Sequence, residues 1–206
     1  MDREVAVDWN ERFSGVDYLY GRAPADFVAR QQWRIPRGAK VLSIAEGEGR
    51  NAVYLAEQGA QVTALESSAN ARGKAADLAR ERGVSLAFIS DDLRGYDWPD
   101  GIYDFVLGCF FQFADPAFRD EIFDGIAQAL TPGGIAMIHG FARRQPRYGS
   151  GGPGQVSQLY DLDLLHQAFP RWEVLHQADY DADLDSGTGH SGRAALIDFV
   201  VRKPER

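Results

Sequence analysis

VLSIAEGEGRNAVYLAEQG, residues 41–59, is the stretch on which the reading of this 206-residue chain turns. The apolar run from Lys40 to Ala45 suits a short buried strand and is broken at once by Gly47 and Gly49. Residues 50–58 then set Ala52, Leu55 and Ala56 at helical spacing, and Gly59 closes the helix. A glycine turn between a strand and a helix lets a ligand approach backbone where a β-carbon would collide. The helix start adds unpaired N–H groups. Glu66 ends the next β-rich run, Gln61 to Leu65. A carboxylate there accepts hydrogen bonds from the ribose hydroxyls of an adenosine-type cofactor, and Ser67 beside it joins the cofactor-facing residues.

Outward from this turn, β-rich runs alternate with helical stretches, the mark of a doubly wound, mostly parallel α/β sheet. Ser67 or Ser68 caps a helix over 70–82, and strands follow at 85–90 and 103–109. Pro116 opens a helix running to about Leu130, and Thr131-Pro132-Gly133-Gly134 leads into a strand from Ile135 to His139. Residues 142–158 hold four glycines, two prolines and three arginines, a long loop of the kind that carries function. After a short helix near 160–169, β-rich runs at 171–180 and 194–202 flank a turn at 186–192 and predict a closing antiparallel hairpin. The first 35 residues read as a helical cap rich in Trp9, Phe13, Tyr18, Tyr20, Phe27 and Trp33. One domain over 1–206 is expected, with 142–158 as its substrate-side loop.

Composition narrows the function. The net charge of −8 disfavours duplex nucleic acid and anionic membranes as partners. No apolar run reaches membrane-spanning length, and Met1 is followed by Asp2, Arg3 and Glu4, so a cytoplasmic protein is expected. A single cysteine, Cys109, argues against a disulfide framework or a multi-cysteine metal site, and no metal is expected. A small-molecule substrate fits these limits. Oligomeric state is not legible.

The runs at 41–59, VTALESS (62–68), DDL (91–93) and LTPGG (130–134) resemble the class I S-adenosylmethionine (SAM)-dependent methyltransferases. DWNERFSGVDYLYGRAPADF (8–27), GSGGPGQ (149–155) and GHSGRAALIDFVVRKP (189–204) are similar to the small methyltransferases of the tellurite-resistance (TehB-like) type. The resemblance implies a Rossmann-like seven-stranded sheet of order 3-2-1-4-5-7-6, with SAM as cofactor. It implies that Gly47 and Gly49 face the methionine and ribose, Glu66 the ribose hydroxyls, and Asp92 with the Leu93 N–H the adenine. Residues from Cys109 to Gln112 would line the floor, and Tyr18 and Tyr20 the cover. Thiol or chalcogen oxyanion acceptors are suggested by the same likeness alone. Ser43 and Ala45 depart from the aspartate and glycine usual in that turn. Glu46 is the substitute for the missing charge, and Ala45 costs little if its φ is negative.

Methyl transfer asks the protein mainly to align and desolvate. If the acceptor must lose a proton, His139 at a strand's carboxyl end and His190 in the hairpin turn are the candidates to take it. Arg50 and Asn51, at the helix opening, are aimed at the cofactor cleft. Arg143, Arg144 and Arg147 read either as an anion-recruiting cluster or as a solvated loop. Two other functions share the glycine turn. A nicotinamide-dependent oxidoreductase lacks support because none of Lys40, Lys74 and Lys203 stands four residues after a tyrosine. A degenerate fold that binds SAM and acts through partner contacts stays open because of Ser43 and Ala45.

Overall fold

The computed structural model describes residues 7–205. Seven strands form one sheet in the order β3-β2-β1-β4-β5-β7-β6. They are β1 (Lys40–Ile44), β2 (Gln61–Leu65), β3 (Ala87–Ile89), β4 (Tyr103–Cys109), β5 (Leu130–Phe141), β6 (Glu173–Ser186) and β7 (His190–Arg202). β1 pairs in parallel with β2 and β4, and β4 with β5, whereas β7 runs antiparallel to both β5 and β6. The expected sheet order and closing hairpin are both present.

Helices α3 (Arg50–Glu57), α4 (Ala69–Glu81), α5 (Pro116–Ala129) and α6 (Leu162–Ala168) connect the strands. Two apolar layers cover the two sheet faces. Leu42, Ile44, Val106, Ile138 and Phe199 belong to one and Val41, Leu107, Met137 and Val200 to the other, as alternation along buried strands requires. Among the described residues no helix is long and apolar enough to cross a membrane.

Three expectations need correction. The hairpin is longer than its apolar runs suggested: β6 reaches Ser186 and β7 begins at His190, leaving Gly187-Thr188-Gly189 as the turn. Aspartates at 179, 181, 183 and 185 hid the alternation, although Tyr180, Ala182 and Leu184 on the other face pack inward. The Thr131–Gly134 turn lies within β5, where the pairing with β4 shifts register between Tyr103 and Phe105. The N-terminal cap is mostly irregular, with only α1 (Trp9–Arg12), α2 (Asp26–Gln31) and a 3-10 turn over Gln32–Arg34; residues 1–6 of the expected cap lie outside the described residues.

Candidate active site

The carboxyl ends of β1, β4 and β5 meet the starts of α2 and α3. Ala45 leaves β1 with φ at +45°, so the condition for a cheap alanine is not met and the strand end carries left-handed strain. Gly49 follows at φ +90° and serves as the N-cap of α3, with no side chain to cap it. Glu46 takes over that task. One of its oxygens accepts from the Asn51 and Ala52 N–H groups at 3.0 and 2.8 Å, and the other from the Ser43 hydroxyl. Burial pushes the Glu46 carboxyl up, against these hydrogen bonds and the nearby Arg50.

Glu66 stands across the turn. Its two oxygens accept from Gly47 N–H and Ser68 N–H, both at 2.8 Å, which leaves each a further lone pair. Ser67 is exposed; it is Ser68 that caps α4, through Ala71 N–H at 3.1 Å. Asp92 is exposed and accepts from Arg94 N–H at 2.8 Å, a turn-capping bond that uses one oxygen, while Leu93 is buried in the core.

The two glycines have different neighbours. A β-carbon on Gly49 would stand 2.6 Å from the Ala75 side chain, so helix packing alone demands glycine there. One on Gly47 would meet the tip of the Phe13 ring at 3.5 Å. The N-terminal segment therefore stands over this turn. Phe13 stacks on Trp9 at 5.8 Å and meets Tyr20 edge-on at 6.2 Å. Glu48, which the sequence reading did not single out, latches the segment: it accepts from Tyr20 N–H at 3.3 Å and from Lys74 at 2.7 Å. Lys74 also donates to Asp17 O at 2.7 Å.

The Asn51 side chain holds the N-terminal segment, its Oδ1 accepting from Ala25 N–H at 2.9 Å. Arg50 is buried and donates to Tyr20 O at 3.0 Å. It lines a cavity of about 140 Å³ with Arg30, Phe110, His139, Tyr180 and Leu196. Cys109 ends β4 below, where burial pushes its thiol up and makes it a poor nucleophile. His139 is 2% exposed, with Nδ1 2.7 Å from Asp198 Oδ1 and its ring stacked on Phe27 at 5.0 Å. His190 is enclosed by Tyr20, Phe110 and Phe141 at 4.5, 4.4 and 5.2 Å. Its pKa falls to about 3, through burial first and then the charges of Arg50, His139 and Arg12, so at neutral pH it is a weak base. The loop arginines are mostly spent on ion pairs, Arg143 with Asp161 at 2.7 Å and Arg144 with Asp181 at 2.7 Å and with Asp179.

The donor set fits an adenosine-type sulfonium cofactor. Glu66 keeps free acceptor capacity, and among the described residues the buried Nδ1 of His190 has no hydrogen-bond partner. Of the five guanidinium N–H donors of Arg50, one is engaged, by Tyr20 O, among the described residues. The sheet order and the glycine turn give this chain the fold seen in solved SAM-dependent methyltransferases. Residues 41–134 match the family model described as a methyltransferase domain. An uncharacterized methyltransferase of Synechocystis sp. is 32% identical over 105 residues, 50% of this chain and 48% of that protein. The chain thus spans about half the length of the curated relative it matches. TehB from Haemophilus influenzae superposes with a TM-score of 0.69 at 20% identity, over 86% of this chain and 61% of TehB. A SAM-dependent methyltransferase from Methanosarcina mazei gives a TM-score of 0.71 at 16% identity, over 89% of this chain and 100% of the other. At these identities the two superpositions speak for the fold.

Proposed function

We propose that this chain moves a methyl group from SAM to a small acceptor seated in the cavity walled by Arg50, Phe110 and His139. The observation that carries the reading is the position of this cavity: Arg50, the residue after the glycine turn, forms its wall. Cofactor side and acceptor side are thereby joined through one residue at the carboxyl edge of the sheet. When bound, the cofactor supplies a methyl carbon activated by the positive charge on its sulfur.

The chain's own residues bind and orient. Glu66 holds the ribose hydroxyls, the Gly47 backbone borders the methionine, and Glu46 supplies negative charge toward its ammonium. Asp92 and the Leu93 N–H take the adenine. Tyr20 covers the site and, with Phe13 and Phe110, keeps water out, which strengthens every polar contact inside. His139 is the proton acceptor when the acceptor carries one. The acidic balance and the small cavity favour a small-molecule acceptor over a nucleic-acid polymer.

Calorimetric titration tests the reading. SAM and S-adenosylhomocysteine should bind and NADH should not, and incubation with acceptors should release S-adenosylhomocysteine. Absence of SAM binding, or binding of NADH in its place, would overturn it. SAM binding with no transfer to any acceptor would favour the degenerate partner-binding fold.

A further inference from the structure

Asp198 is a buried carboxylate to which the methyl-transfer reading gives no task. It sits within β7, 1% exposed, and side chains from three other elements converge on it. Strand register brings them there: His139 of β5 lies directly opposite Asp198, and on the other side Ala178 of β6 does, flanked by Tyr180 and His176. The carboxylate accepts from Arg30 of α2 at 2.9 Å and from the Tyr180 hydroxyl at 3.0 Å, with His176 Nε2 at 3.4 Å. Burial pushes its pKa up, but the bonds from His139, Arg30 and Tyr180 outweigh that and hold it below the usual carboxylate range.

These contacts settle which nitrogen of His139 carries the hydrogen. Nδ1 faces Asp198 Oδ1 at 2.7 Å and Ile197 O at 3.1 Å. An ionised carboxylate and a carbonyl both accept only, so Nδ1 must donate, and in the neutral ring the lone pair stands on Nε2. Phe27, stacked at 5.0 Å, and Phe110, edge-on at 4.7 Å, hold the ring in that orientation. The ring lines the acceptor cavity. Arg30 is 47% exposed at its side chain and solvated, so the Asp198 charge remains available to an imidazolium.

We propose that Asp198 is a positioning residue that presents His139 Nε2 as proton acceptor in this cavity, and that the acceptor is a protic nucleophile: a thiol, hydroxyl or amine. The inference rests on the methyl-transfer reading. The acceptor X–H gives its proton to Nε2 as X bonds the methyl carbon, and the electron pair of the broken carbon–sulfur bond stays on sulfur. Neutral imidazole and a sulfonium become imidazolium and a neutral thioether, so charge balances. A ready-made anion would need no such base.

The test has two arms on the full chain. Long-range proton–nitrogen NMR of the histidine-labelled protein at pH 8 should show His139 as the Nδ1–H tautomer; an Nε2–H tautomer overturns the proposal. Transfer is then followed with 2-mercaptoethanol, catechol and histamine against iodide and selenite as probes. For at least one protic probe, Asp198→Asn and His139→Gln should each lower kcat by about 10²-fold, the scale of general-base catalysis. SAM affinity by calorimetry should stay within about twofold, and turnover of an anionic probe should fall at least about tenfold less than that of the protic probe. No transfer to a protic probe, or an equal loss on protic and anionic probes, overturns it. Failure of SAM to bind would sink the methyl-transfer reading instead, while the tautomer is read without cofactor.

Discussion

His190 makes the pH dependence of folding a quantitative test of the site. Unfolded, its imidazole titrates near 6.5; folded, burial among Tyr20, Phe110 and Phe141 brings it to about 3. A folded pKa below the unfolded one means that the unfolded chain binds the proton first as pH falls. The stability linked to this residue is complete above about pH 6.5 and is lost as pH drops toward 3. From pH 7 to pH 4 the unfolded imidazole protonates almost fully and the folded one hardly at all. That gap corresponds to about 3 kcal/mol. Other groups move over the same range: Asp198 loses stability on protonation and Glu46 gains it. Comparison with His190→Gln cancels both. In urea unfolding, the wild type should lose about 3 kcal/mol more than the variant between pH 7 and pH 4. Curves that stay parallel within about 1 kcal/mol would refute the buried, neutral histidine.

Gly49→Ala should cost about 1–3 kcal/mol more in urea unfolding than Gly38→Ala. Both glycines are left-handed, but only Gly49 faces Ala75, so equal losses would count against the packing argument. SAM should change tryptophan fluorescence by displacing Phe13 and its stacked Trp9; a Trp9→Phe protein that keeps the full change would show that the segment stays still. Glu46→Gln should weaken SAM binding about tenfold by removing a charge-assisted contact, and an unchanged dissociation constant would rule that contact out.

The sheet was legible because parallel strands buried on both faces read as short apolar runs between breakers, and the glycine turn punctuates them. Glu66 could be placed for the same reason: it stands at the end of a clear strand. The site's second half was not legible. Asp198 lies in an apolar run, LIDFVV, where a single carboxylate gives no hint of partners 59 residues away at His139 and 168 residues away at Arg30. Glu48 and Asn51 read as ligand-facing or neutral, yet each binds the N-terminal segment, because the turn of which they are part must also close over itself. Ala45 shows the opposite limit. Its residue type was plain, but only the backbone angle reveals the strain it bears.

Asn51 couples parts that chemistry would treat as separate. Its amide oxygen grips the first turn of α2 through Ala25, and five residues further along that helix Arg30 reaches Asp198. The helix is thus a short lever with one end on the nucleotide turn and the other on the wall of the reaction chamber. One backbone hydrogen bond and one ion pair on the same six-residue helix thus tie the glycine turn to the carboxylate that orients His139.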